Sequence, residues 1–355
     1  MKKTIKQIVG IDVAQKELVV CFGKMYDDWT IEFPSQTAFP NTAKGFVQLL
    51  NWSKKINNNE TELCYVCEAT GVYHESAVYF LTAQQCKVSV VLPNKISSYM
   101  RTLDLKTVTD KTAAEAITRF GLERKLEVWV KPNELYKNVK HLTRERDQIV
   151  CERTSVKNQL HAEKAQAEPY KPSMVRLEKR IALLNKQEKE ILKELNQLIK
   201  TDEKVAEKVK LITTIPGIGI LTAATVLAET NGFELIRNKR QLASYAGFDV
   251  KEKLSGTSVK GKPRISKRGN TFLRKAMHLP ALSAIKNETQ YRYIFARLVS
   301  KHGIKMKAAV AVQRKLLEMT YTIFKKGEAY KSPIVKAETD IEINEVELKL
   351  ESELI

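Results

Sequence analysis

The chain has 355 residues, room for two or three domains with cores of their own, and its 43% hydrophobic and 7% aromatic content is ordinary for a folded soluble protein. Sixty basic against 41 acidic residues leave a net charge of +19. With neither a lipid anchor nor a basic amphipathic helix in view, that excess argues against a membrane-surface role and for a polyanion, nucleic acid first.

The Met1-Lys2-Lys3 start runs into a strand-like stretch, not a long apolar one, and no segment reaches transmembrane length. Five scattered cysteines, an odd number, fit a reducing cytoplasm. Cys64 and Cys67 have the spacing of a zinc or redox pair. In the run LCYVCEA, however, period-two alternation puts them on opposite faces of a strand, and no second pair follows, so core packing is expected.

Ile8 to Val13 and Leu18 to Phe22 read as two strands joined by a tight turn, and Thr61 to Cys67 reads as another. A helix over His74 to Gln84, a strand over Lys87 to Leu92 and a helix over Lys111 to Leu122 follow, an alternation that predicts an α/β sheet layer. Asp12 and Glu68 fall at the ends of apolar strands, and Asp110 opens a helix. Singly, Asp12 suits a turn and Asp110 a helix cap. Together, the three acids are ingredients of a site for a divalent metal, and oxygen donors suit Mg²⁺ beside a scissile phosphate.

After Pro132 the pattern becomes helical. Leu135, Val139, Leu142, Ile149, Val156 and Leu160 form a heptad seam interrupted by Arg146 and Arg153. Beyond Pro169 and Pro172 a second seam runs through Met174, Leu177, Ile181, Leu184, Ile191, Leu195 and Leu198, broken at Glu188. Two long helices in an antiparallel coiled-coil hairpin are expected, as a spacer or a dimer element. Leu211 to Glu229 reads as helix, Pro216-Gly217-Ile218-Gly219 turn, helix. In such a helix-hairpin-helix, Gly217 and Gly219 let backbone amides approach a phosphate.

Lys251 to Lys275 holds nine Lys or Arg and one acid, with Ser255, Ser258 and Ser266 inside that positive field. Lys260, Lys262, Arg264, Lys267 and Arg268 are expected to neutralise a phosphate next to a serine hydroxyl. Contact with a DNA backbone, without chemistry, is the blander reading. Helices are expected over Thr271 to Ile285 and Met306 to Phe324, with His278 structural. The acidic tail from Ala337 reads as weakly ordered or loosely helical, a charge decoy.

The stretches VGIDVAQKELVVCF, CEATGVYHESAVYFL, VVLPNKISSYM and TDKTAAEAITRFG, in that order, resemble the RuvC-like domain of the DEDD transposases of insertion-sequence family 110, relatives of the Piv-type DNA invertases. TIPGIGILTAATVLAE, QLASYAGF and SGTSVKGKPRISKRGNTFLRKAM are similar to that family's second, transposase domain. The resemblance spans roughly residues 5–325. It implies an α/β ribonuclease-H-like sheet over 1–128, a helical hairpin over 129–205 and a mostly helical transposase domain over 206–330, followed by the tail 331–355. It also implies a catalytic role for Asp12, Glu68 and Asp110, and Ser255 as the nucleophile. The family's D-x-x-D places its fourth acid where this chain has Ala113. The nearest acid, Glu115, is turned about 140° from Asp110 on an ideal helix, so either Glu115 serves as the fourth catalytic acid through a local distortion, or the site works with three acids, or this copy is impaired.

The function expected is that of a recombinase of a mobile element, working on donor and target DNA through a phosphoserine link. By resemblance it is a homo-oligomer, dimer or tetramer, guided by a structured non-coding RNA. The alternatives are a Holliday-junction-type nuclease that uses water, and a catalytically impaired copy that only binds nucleic acid.

Overall fold

A computed structural model describes residues 2–57, 61–69, 71–103, 107, 109–234, 236–252, 254–255, 259–261 and 263–332, with the side chains of 254, 255, 259 and 260 left out. The chain divides into two compact units, Met1–Lys131 and Pro132–Ile355. Among the described residues no helix is long and apolar enough to cross a membrane.

The first unit is mixed α/β. Its strands are β1 (Thr4–Val13), β2 (Glu17–Tyr26), β3 (Ile31–Pro40), β4 (Leu63–Glu68) and β5 (Lys87–Val91), in the spatial order β3-β2-β1-β4-β5. The first three are antiparallel neighbours, whereas β4 runs parallel to both β1 and β5. Helices α1 (Ala43–Ile56) and α2 (Glu75–Ala83) cover one face, with α3 (Pro93–Met100) and α4 (Asp110–Glu123) on the other. β3, α1 and α3 go beyond the elements expected from sequence. Pro34 and Pro40 argue against a strand read alone, but β3 pairs only with β2, and a free edge tolerates proline. Cys64 packs with the α4-side cluster and Cys67 with the opposite one, as the alternation requires.

Close packing sets the path of α4. A Cβ on Gly10 would lie 2.3 Å from Thr118 Oγ1 and 2.8 Å from the Ala114 carbonyl, and one on Gly121 would meet Val66 and Ile8. The helix therefore lies directly on β1 and runs antiparallel to it. Gly121 sits over Ile8, Ala114 sits over Gly10, and the N-terminus points to where β1 and β4 end. Thr118 Oγ1 accepts from Gly10 N–H (3.2 Å), and Lys6 Nζ donates to the carbonyls of Gly121 (2.5 Å) and Leu122 (3.1 Å) at the other end of the helix.

The second unit is mostly helical. Helices α5 (Glu134–Lys164) and α6 (Lys171–Lys200) pack as an antiparallel pair: Lys164 bonds Glu178, while Arg146 and Arg153 reach Glu188. The three charges that interrupt the two apolar seams thus meet one another. One carboxylate answers two guanidiniums, which disfavours sliding one helix by a turn. Helices α7 (Glu203–Ile212), α8 (Ile220–Glu229) and α9 (Lys239–Ala246) follow, then four two-residue strands: β6 (Val250–Lys251), β7 (Leu254–Ser255), β8 (Val259–Lys260) and β9 (Arg264–Ile265). The remaining helices are α10 (Thr271–Ala276), α11 (His278–Asn287), α12 (Thr289–His302) and α13 (Lys305–Lys326). The helix expected over Thr271 to Ile285 is interrupted at Met277, which ends α10 and opens α11. One core, including Ile212, Phe233, Phe248, Met277 and Leu316, unites the unit, and the inner faces of α5 and α6 are continuous with it.

Candidate active site

Asp12 pairs with Val19 across the β1–β2 ladder, one residue beyond the Ile11–Cys67 pair that joins β1 to β4. Gly10 faces α4, and alternation puts Asp12 on that same face. Glu68 ends β4 opposite Val91 of β5. At the start of α4 the capping role belongs to Thr109, whose hydroxyl accepts from Thr112 N–H while Thr112 Oγ1 accepts from Thr109 N–H. Asp110 is therefore an exposed first-turn residue relieved of capping.

Electrostatics ties the three acids together. Burial, then the negative charges of Asp110 and Glu68, push the Asp12 carboxyl up to about 6 against one hydrogen bond from Val13 N–H. Glu115 lies elsewhere, exposed on α4, with its charge felt by Cys21 on β2. Cys21 is opposite Gly10 in the ladder, on the flank away from β4. Ala113, one turn from Asp110, offers no carboxylate.

The donor set suits a hard dication, since it is all oxygen and its mutual repulsion is what such an ion relieves. Among the described residues, no three His, Cys, Asp or Glu side chains are grouped closely enough to hold one ion. Mg²⁺ does not need such a cage. It keeps several waters and is commonly held by one or two carboxylates plus substrate phosphate oxygens.

In the second unit the basic segment is an arm of two short antiparallel ribbons, β6 with β9 and β7 with β8. Ser255 pairs with Val259, so it stands at the outer end of β7. Lys260 is on β8; Lys262 and Ser258 lie outside the described residues. Arg264, Lys267 and Arg268 are exposed. Ser266 is committed to structure, because its hydroxyl donates to Asp249 Oδ1 (2.6 Å) and its N–H to the Asp249 carbonyl (2.7 Å). Lys267 N–H reaches the Gly247 carbonyl (3.1 Å), which completes a clamp at the base of the arm.

Sequence reasoning missed the anchor beneath this arm. Glu229, 2% exposed, takes Arg144 of α5 through both oxygens (2.7 and 2.9 Å) and accepts from Asn270 Nδ2 (2.6 Å). Tyr245 Oη donates to its backbone carbonyl (3.0 Å). Asn270 also caps α10, so one buried carboxylate fixes the chain where it leaves the arm. The signal was legible: a lone acid closing the apolar run TAATVLAE. His278 Nδ1 lies 3.0 Å from Nε2 of the buried Gln313, consistent with a structural histidine.

The turn between α7 and α8 separates the roles of its glycines. Gly217 has φ +82°, and a Cβ there would lie 2.4 Å from the Pro280 carbonyl of α11, so it is required for the turn and for close packing. Gly219 has open space around it and begins α8 without a side-chain cap, leaving first-turn amides for another partner. Charge divides as unevenly as the architecture. Residues 1–131 hold 17 Lys or Arg against 14 acids, whereas residues 132–332 hold 41 against 20, so a polyanion is drawn chiefly to the second unit.

Known proteins place this pattern. Residues 9–163 match a transposase family of the DEDD, IS110 type, and residues 209–294 match the transposase family IS116/IS110/IS902. The pilin gene-inverting protein of Moraxella bovis is 27% identical over 334 residues, 92% of this chain and 98% of that one. The transposase for insertion sequence element IS1111A of Coxiella burnetii is 28% identical over 155 residues, 42% of this chain and 41% of that one. Among solved structures, T. thermophilus RuvC in complex with Holliday junction substrate aligns with 33% of this chain and 97% of its own, at 10% identity and a TM-score of 0.26.

Proposed function

Since the chain belongs to the IS110 transposase family, related to the Piv-type invertases, and is a DNA recombinase, we propose that it cuts and rejoins DNA through Ser255, with Asp12, Glu68 and Asp110 holding Mg²⁺. The observation that carries this reading is Asp12, a carboxyl pushed up to about 6 by burial and by two neighbouring acids. A lone strand-end aspartate kept for a turn has no use for that company. Bound there, the ion would supply positive charge at the scissile phosphate.

The protein's own residues do the rest. The Ser255 hydroxyl attacks phosphorus, forming a bond from the serine oxygen to the 5′-phosphate as the bond to the 3′ oxygen breaks. The serine gives up its proton and the departing 3′ oxygen gains one. Lys260, Lys262, Arg264, Lys267 and Arg268 hold the backbone and neutralise charge gathering on the phosphate. Attack by a 3′ hydroxyl on the phosphoserine reverses the step and joins a new partner strand. The α7–α8 turn grips duplex through the amides after Gly219, in helix-hairpin-helix fashion, and α5–α6 joins protomers as a coiled coil. A structured guide RNA selects donor and target, and two or four copies assemble on them.

Ala113 supports a second reading, an impaired copy that binds without cutting, because one helix turn of the acidic face lacks its carboxylate. A nicked-duplex substrate trapped in Mg²⁺ and resolved under denaturing conditions separates the readings. The protein should give a covalent adduct that Ser255→Ala loses and Ser258→Ala keeps. Cutting by Ser255→Ala without an adduct would mean a water-using junction nuclease. Binding with neither adduct nor cutting would mean the impaired copy.

A further inference from the structure

Helices α12 and α13 pack against one another, with Tyr291 and Ile294 of the first and Val312 and Leu316 of the second in the common core. Only Gly303 and Ile304 separate them. From Thr289 to Leu317 this hairpin carries seven Lys or Arg and no Asp or Glu. Every residue from Ser300 to Lys307 is exposed, so the tip stands clear of the core. Partial desolvation, then the charges of Lys307 and Lys301, hold the His302 imidazole below its usual range. The cations that close α12 and open α13 therefore lie on one patch, joined further by the Lys307 N–H, which donates to the Ile304 carbonyl (3.1 Å).

This tip departs from what a plain connection between two helices favours. The N-cap of α13 is Ile304, which makes no side-chain hydrogen bond where Ser, Thr, Asp or Asn would stabilise the helix. Lys305 and Lys307 stand in the first turn, at the positive end of the helix, with no acid there to offset them. Ile304 and Met306 are 54% and 59% exposed. A ligand that brings anions and an apolar surface together relieves all three costs, and duplex DNA brings both. The minor groove of B-form DNA is about 6 Å wide, edged by phosphates and walled by deoxyribose. Apolar side chains bordered by lysines complement sugars bordered by phosphates. An RNA duplex fits less well, because its minor groove is wide, shallow and lined with 2′ hydroxyls.

We infer that the α12–α13 tip is a further DNA-binding surface, in which Lys301, Lys305 and Lys307 neutralise phosphates along the minor groove while Ile304 and Met306 cover its sugar edges, and that this contact favours a DNA over an RNA duplex. The inference rests on the chain acting on DNA. It is independent of the roles given to Ser255 and to the α7–α8 turn.

Anisotropy of a fluorescein-labelled DNA duplex of about 30 base pairs, and of the RNA duplex of the same sequence, tests this on the full chain. Lys301→Gln, Lys305→Gln and Lys307→Gln together should weaken DNA binding about tenfold or more and flatten the slope of log K against log salt by about three. Ile304→Ser with Met306→Ser should weaken DNA binding about fivefold and leave that slope in place, since apolar contacts release no ions. The same pair should leave affinity for the RNA duplex within about twofold. Serine at position 304 also supplies the missing cap, so this variant should melt no lower than the unaltered protein, and its lost affinity is not lost folding. Unchanged affinity and slope in the lysine variant overturn the surface. Unchanged DNA affinity in the serine variant, or equal losses for DNA and RNA, overturn the sugar contact. If Arg264→Gln with Arg268→Gln weakens binding while neither tip variant does, the proposed function stands and this inference falls. If the unaltered chain binds no duplex, both fall.

Discussion

An ionised carboxylate at the end of a buried strand, with two further acids beside it, works against the folded state. Asp12 is raised from 3.8 to about 6, and because its side chain still meets solvent the destabilisation at neutral pH is about 1–2 kcal/mol. Asp12→Asn removes the charge and keeps the shape, so we expect it to raise the melting temperature by a few degrees in the absence of metal, while adduct formation with DNA disappears. A loss of stability would show that Asp12 is a structural residue. The glycines of the α7–α8 turn give a different lesson, since of two glycines in one motif the fold requires only Gly217. Gly217→Ala faces both a positive φ and the Pro280 carbonyl, and should cost about 2 kcal/mol or more in urea unfolding. Gly219→Ala meets open space at an ordinary φ of −90° and should leave unfolding within about 0.5 kcal/mol. Any weakening of DNA binding by that second change then reports on the contact itself.

Helix α5 is held to α8 and α10 by Glu229. Burial alone would raise this carboxyl; hydrogen bonds from Arg144 and Asn270 and the charges of Lys140 and Arg144 outweigh it and hold the group below its usual range. A depressed carboxyl stabilises the fold above the ordinary pKa of about 4.5 and loses that contribution as pH falls through the folded value. Glu229→Gln should therefore cost about 3 kcal/mol at pH 7, and the gap from the unaltered protein should narrow in urea unfolding at pH 4 and below. An unchanged gap would assign the effect to packing. The paired seams of α5 and α6 were readable because a heptad repeat is local. Their interruptions, Arg146, Arg153 and Glu188, looked like defects until the turn between the helices brought them together. The short ribbons of the basic arm gave no such signal, because two-residue strands carry no periodicity and exist only through their pairing.

The whole molecule divides its net charge unevenly between the two units. The α/β unit carries the carboxylates and is nearly balanced in charge, whereas the helical unit holds most of the basic excess. Duplex affinity should fall steeply with salt, and Arg264→Gln combined with Arg268→Gln should flatten the slope of log K against log salt by about two. Lys24→Gln with Lys44→Gln, in the α/β unit, should leave that slope in place. If the pairs behave alike, binding follows total charge and not the basic arm.

Composition and motif order by themselves determined that this is a nucleic-acid protein with acids at strand ends, a helical hairpin and a basic, serine-bearing segment, because charge, periodicity and spacing are written along the chain. Tertiary structure alone decided that α4 lies on Gly10, that the charges of Asp110 and Glu68 act on Asp12, and that the charge of Glu115 acts on Cys21 instead. It also decided that Ser266 locks the base of the arm and that Gly217 serves packing against α11. Those roles depend on contacts between residues tens to more than a hundred positions apart, and the forces that settle them, close packing and the mutual field of buried charges, act only once the chain has folded.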